Sequence, residues 1–318
     1  MDKAEEYLYD FIPNATRQTK IKSYLQAQEN CLAVGLTSIN DAGISLETMK
    51  ICDSLHQSGD FKIKFYLMLQ PTKDCFDFAE KNGYYITDKL TVRSFKVYSD
   101  GALGSRGACL LKPYSDDPLN HGFLLSPIAK LDSLASKIHN LNYQMNTHAI
   151  GDSANRSMLN IYSKYLKREN DRRWRIEHAQ VVNPEVYSLF KDYNIIPSVQ
   201  PTHCTSDMLW ADERLGEDRI SHAYAYKSLL KTNGYIALGS DFPVEDINPI
   251  YGFHAAVSRK NSENKPENGF QMDESISRND ALKGMTIWAA KSSFEEDKKG
   301  SLEKGKDADF VVFENDIM

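Results

Sequence analysis

The sequence predicts an α/β protein in which parallel strands alternate with helices and wind into a barrel or an open sheet. Three observations carry that prediction. Short β-rich runs recur along the chain, helical stretches separate them, and no G-x-G-x-x-G follows the first run, which removes the main support for a dinucleotide-binding sheet. The β-rich runs fall at 36–40, 61–69, 93–98, 143–147, 174–177, 195–199 and 235–239. Seven such units, with one missing, make up an eight-stranded (β/α)8 barrel.

The helices announce themselves by their ends. One spans about 16–34 and stops at Gly35, placed as a C′ glycine. Another opens at Ser126-Pro127, with the serine as cap and the proline at the first helical position, and Asn183-Pro184-Glu185 repeats that logic. Residues 277–291 read as one further helix, with Ala281, Leu282, Met285 and Trp288 at helical spacing. A charged, turn-rich link over 300–309 leads into a final expected strand at 310–313. Two long loops, 99–125 and 200 to about 219, follow strands, where barrel enzymes place their substrate contacts.

Composition narrows the class. The 318 residues include 38 Lys+Arg and 44 Asp+Glu, for a formal net charge of −6, with 41% hydrophobic and 26% charged residues. These proportions are those of a globular protein and exclude disorder as a description of the whole chain. An acidic balance argues against nucleic acid or an anionic membrane as the main partner. No apolar run reaches the ~18 residues that span a bilayer, and the first residues lack the apolar stretch of a signal peptide. The five cysteines are scattered and form no C-x-x-C pair, so a reduced, cytoplasmic setting is expected.

Four residues share one address. His148, His178, Asp241 and Lys96 each lie at or near the C-terminal end of a different run, and in an α/β barrel those ends converge on one mouth. Two imidazoles, a carboxylate and an amine there could make a metal site. Singly, each has a plainer use. Either histidine could serve as a hydrogen-bonded structural residue, Asp241 in Gly-Ser-Asp-Phe-Pro could cap a turn, and Lys96 could be a surface lysine or a Schiff-base amine.

The motifs around these residues resemble the metal-dependent amidohydrolase superfamily. They are Phe95-Lys96-Val97-Tyr98-Ser99-Asp100-Gly101-Ala102-Leu103-Gly104-Ser105-Arg106, Thr147-His148-Ala149-Ile150-Gly151-Asp152, Arg175-Ile176-Glu177-His178-Ala179-Gln180 and Leu238-Gly239-Ser240-Asp241-Phe242-Pro243-Val244. They most resemble its YtcJ-like branch, which includes N-substituted formamide deformylases, and the closing 300–310 segment is similar to the return of that branch to a small β-sandwich. The resemblance implies a TIM-barrel-type hydrolase with one or two divalent metals, zinc foremost. It acts on non-peptide C–N bonds of an amide or formamide by attack of metal-activated water. It further implies that Lys96 is a carboxylated lysine bridging two metals, that His148 and His178 bind the second metal, and that Asp241 binds the first and serves as general base. Asp100, Arg106 and His203, in the two long loops, are the substrate-binding candidates.

One departure is expected to matter. The family's first strand ends in His-x-His, and none of the eight histidines here lie two apart. The chain therefore reads as a barrel lacking its first strand (1–299) followed by a sandwich remnant (300–318), holding one metal or none. Two alternatives stand beside the hydrolase: a catalytically inactive fragment or pseudoenzyme, and an aldolase-type lyase using Lys96. The expected partner is a small amide substrate, and the open strand edges predict a homo-oligomer.

Overall fold

The computed structural model describes residues 11–13 and 15–318. One sheet organises the chain: β1 (Ser38–Ile44), β2 (Lys64–Leu69), β3 (Tyr85–Ile86), β4 (Leu90–Tyr98), β5 (Gln144–Ala149), β6 (Arg175–His178), β7 (Ile196–Val199) and β8 (Ala237–Leu238). The order is β1-β2-β4-β5-β6-β7-β8 with every neighbour parallel, and β3 hangs antiparallel on β4. Each of the seven predicted runs overlaps one of the parallel strands. The sheet curls into a half-barrel that stays open, because β1 and β8 end the order without pairing to each other.

Helices cover the outer face. They are α1 (Arg17–Ala33), α2 (Leu46–Ser58), α3 (Lys73–Asn82), α4 (Ile128–Asn140), α5 (Asp152–Tyr165), α6 (Tyr187–Asp192), α7 (Pro201–Asp207), α8 (Ala211–Ile220), α9 (Tyr226–Asn233), α10 (Pro249–Ser258), α11 (Arg278–Met285) and α12 (Ile287–Ser292). The first of them starts as expected: the Thr16 hydroxyl accepts the Thr19 N–H at 3.1 Å. It ends at Gly35, whose φ of +81° is open to glycine at no steric cost. Buried aromatics fill the layer between sheet and helices, with Tyr162 edge-on to Trp174 at 4.7 Å and Phe76 stacked on Phe95 at 4.6 Å. Among the described residues no helix is long and apolar enough to cross a membrane.

Four local expectations are corrected. Pro127, not Ser126, holds the N-cap position of α4, because its ψ of 146° is extended and the first helical residue is Ile128. The helix expected over 277–291 is broken at Thr286 (φ −123°, ψ −95°), whose hydroxyl donates to the Leu282 carbonyl at 2.7 Å. The loop expected over 200–219 folds into α7 and α8, the first with Pro201 in its opening turn. No strand forms over 310–313: the segment pairs with no β partner, and Phe310 and Val312 are exposed.

What spans the open side is a set of polar contacts from the C-terminal region to β1 and β2. The Ser293 hydroxyl donates to Asn40 Oδ1 at 2.9 Å, Lys299 Nζ donates to the Ser38 hydroxyl at 2.9 Å, and Lys64 Nζ lies 2.6 Å from Asp307 Oδ2.

Candidate active site

Register brings Lys96, His148 and His178 within three ladder positions of one another. In the parallel ladder Lys96 faces Asn146, Tyr98 faces His148, His148 faces Glu177, and Ala149 faces His178. Lys96, His148, His178 and Asp241 all line one cavity of about 1440 Å³ at the mouth and open side of the half-barrel.

The His148 ring is buried and stands 4.5 Å from the His178 ring at 70°. Its Nε2 has no hydrogen-bond partner, with Asp100 Oδ1 at 3.5 Å the nearest carboxylate. At His178 and Ala179 the backbone turns into the left-handed region, with φ of +74° and +41°. Non-glycine residues enter that region at a cost, and such strain gathers at functional sites. His178 Nδ1 lies 2.7 Å from Gln200 Oε1, and the Gln200 amide donates to the Ser198 carbonyl at 3.4 Å. That second contact sets the amide's orientation, so its oxygen accepts from Nδ1–H and leaves Nε2 free to face the cavity.

His203 rides on the first turn of α7 and completes the cluster. Its Nδ1 lies 2.9 Å from Glu245 Oε1, and its Nε2 lies 3.7 Å from Asp241 Oδ2. Ligand atoms of His178, His203 and Asp241 all fall within 4.8 Å of one another. Sequence reasoning placed His203 among substrate contacts; the structure brings it to Asp241.

Electrostatics separate the imidazoles. Burial holds His148 well below its ordinary value, and the Lys96 amine adds to the effect. His178 is lowered by burial, by His148 and by Lys96. Both are therefore neutral, the form that binds a metal. Burial also opposes charge on His203, but the Asp241 and Glu245 carboxylates outweigh it and push its value up to about 9. Burial works to raise the Asp241 carboxyl, yet His203, His178 and Lys96 hold it below the usual carboxylate value. The Lys96 amine is lowered by burial, against the pull of Glu177 and Asp241, and lies 4.3 Å over the Tyr98 ring.

Imidazole and carboxylate donors of this kind suit a borderline divalent cation. The Nε2 of buried His148 and the Oε1 of Glu177 make no hydrogen bond, with only an Asp100 oxygen at 3.5 Å and an Arg175 nitrogen at 3.7 Å near them, and supply the fit. Glu177, on β6 with Arg175 Nη1 at 3.7 Å, and Glu245, four residues after Asp241, escaped the sequence reading. A carboxylate directly before His178 was in plain view for the first. Nothing local marks the second.

Two substrate-binding candidates sit outside the cluster. Asp100 is fully buried, and its carboxylate accepts the N–H groups of Cys109 (2.9 Å), Ile150 (3.0 Å) and Gly151 (2.9 Å). Arg106 makes a two-point ion pair with Asp116, at 3.2 and 2.8 Å, and does not line the cavity. Asp152 is the first residue of α5 and accepts the Leu111 N–H at 2.8 Å.

Comparisons with known proteins bear on the family and the fold. The chain is 30% identical over 322 residues to the YtcJ amidohydrolase of Bacillus subtilis, covering 99% of this chain and 60% of that protein. It is 37% identical over 239 residues to the protein LONG AFTER FAR-RED 3 of Arabidopsis thaliana, covering 74% of this chain and 41% of the relative. A metal-dependent hydrolase from Pyrococcus horikoshii superposes with a TM-score of 0.85 at 29% identity, over 95% of this chain and 61% of its own. The chain thus spans about 60% or less of the length of these relatives. The family model described as the amidohydrolase family matches residues 1–318, and the chain belongs to that family.

Proposed function

We propose that the chain carries the catalytic half-barrel of a metal-dependent hydrolase that cleaves non-peptide C–N bonds of small amides or formamides. The observation that carries this reading is the convergence of His178, His203 and Asp241 donor atoms within 4.8 Å, beside the unpartnered His148 Nε2. In this reading His178, His203 (once it releases its Nε2 proton) and Asp241 would hold the cation, with His148 and Lys96 adjacent. Zinc suits the donor set. A divalent cation there supplies Lewis-acid polarisation of the scissile carbonyl and makes water nucleophilic near neutral pH.

The protein's own groups do the rest. Asp241, held ionised by its cationic and imidazole neighbours, takes a proton from the attacking water as the new C–O bond forms. It returns that proton to the departing nitrogen as the C–N bond breaks, so the amine leaves neutral. Burial favours the uncharged amine of Lys96, which is the form that adds carbon dioxide to become a carboxylated lysine. The same amine supports the Schiff-base reading, and borohydride trapping of a carbonyl compound on Lys96 separates the two.

Metal content after dialysis against zinc tests the proposal, with Lys96→Ala and His178→Ala alongside, followed by a panel of amides and formamides. We expect one equivalent, lost in His178→Ala. Zinc-independent turnover, or no zinc in any sample, overturns the reading; two equivalents per chain overturn the single-site expectation.

A further inference from the structure

We infer that Glu245 is a positioning residue that fixes the ring of His203 so that its Nε2 edge faces Asp241. The inference rests on the reading of Asp241 as a site carboxylate.

A carboxylate oxygen can only accept, so the 2.9 Å contact to Glu245 Oε1 requires a hydrogen on His203 Nδ1. That bond settles which nitrogen looks outward: Nε2 lies 3.7 Å from Asp241 Oδ2. The same Glu245 oxygen accepts the Ser206 hydroxyl at 2.6 Å, and Ser206 sits one turn after His203 on α7. A single carboxylate thereby grips both the ring and the backbone turn that carries it. His203 is buried and the Glu245 side chain is 17% exposed, which limits competing water at the bond.

The chain geometry gives the arrangement its economy. The Val244 N–H donates to the Asp241 carbonyl at 2.9 Å, so the chain turns back immediately after Asp241. One short turn therefore places two carboxylates on opposite nitrogens of the same imidazole. His178 is served in parallel by Gln200, a neutral acceptor at 2.7 Å on its Nδ1. Both rings then present Nε2 to the same space, and outer partners of this kind orient ligating imidazoles.

The experiment uses the full chain labelled with nitrogen-15, with and without zinc, in wild type, Glu245→Ala and Glu245→Gln; His203→Gln assigns the signal. The wild type is expected to show an exchange-protected, downfield ring N–H from His203. Glu245→Gln keeps an acceptor oxygen and retains the signal, while Glu245→Ala loses it. Zinc affinity measured by calorimetry is expected to fall about 10- to 100-fold in Glu245→Ala and by less than about 10-fold in Glu245→Gln. A Glu245 that merely stabilises the fold would lower the melting temperature and leave both readouts in place, and that result overturns the inference. So does loss of the ring N–H in a folded Glu245→Gln, which decides the matter should Glu245→Ala not fold. If wild type binds no zinc, the hydrolase reading falls, and the ring N–H without metal still decides for or against Glu245.

Discussion

Asp100→Ala is expected to destabilise the chain strongly while leaving the cavity lining in place. The Asp100 carboxylate is buried and accepts three backbone N–H groups, those of Cys109, Ile150 and Gly151. Two belong to the turn that follows His148, and one to the long loop after β4. Alanine leaves all three donors unpaired at about 1–3 kcal/mol each, and partial entry of water favours the low end, for a loss of about 3 kcal/mol. The measurement is the urea midpoint at constant slope, which reads stability without a change in the denatured state. Asp100→Asn with its amide oxygen at the Oδ2 position keeps the Cys109 and Gly151 bonds and turns its NH2 group on the Ile150 N–H alone, so it recovers up to about two thirds of the loss. A fall of under about 1 kcal/mol, with KM raised on a working substrate, would refute the structural role and return Asp100 to substrate binding.

Gly151→Ala places a Cβ 2.1 Å from the Cys109 carbonyl oxygen, so the loop must separate from α5; a loss of about 1–3 kcal/mol in a thermal melt is expected, against a smaller one for Gly59→Ala, which meets nothing within 4 Å. In the metal-free chain His203 is raised from 6.5 to about 9, so its contribution is full below about pH 6.5 and is lost as pH rises toward 9. At about 1.36 kcal/mol per pH unit this amounts to about 3 kcal/mol. Urea midpoints in chelator at the two ends check it, and His203→Gln flattens the slope. Zinc at about 100 times its Kd adds about 2.7 kcal/mol to wild type and nothing comparable to His178→Ala, as read by melting temperature.

The strand pattern was legible because burial on both faces leaves continuous apolar runs such as Phe65–Leu69, and because each run stops at a polar or turn residue. Strand ends then placed Lys96, His148, His178 and Asp241 at one mouth without any distance being known. His203 was harder. The pair Gln200-Pro201 is a readable helix start, and treating the segment as a loop hid the fact that its first turn aims an imidazole at Asp241. Glu245 was beyond reach, since its partner lies 42 positions away and only the folded turn after Asp241 brings them together. The strand expected over 310–313 failed for a related reason: β propensity has no outlet where no neighbouring strand offers a ladder.

The open side between β1 and β8 has a mechanical consequence. In a closed barrel each strand is fixed from two directions, so the distance across the mouth cannot change without breaking a ladder. Here the sheet behaves like a cut ring, and the width of the cut is a soft coordinate. Its stiffness comes from a few polar clasps, among them Ser293 on Asn40 and Lys299 on Ser38. Both clasps border the cavity that Lys96 and Asp241 line, so a change in the width of the cut changes the space those side chains share.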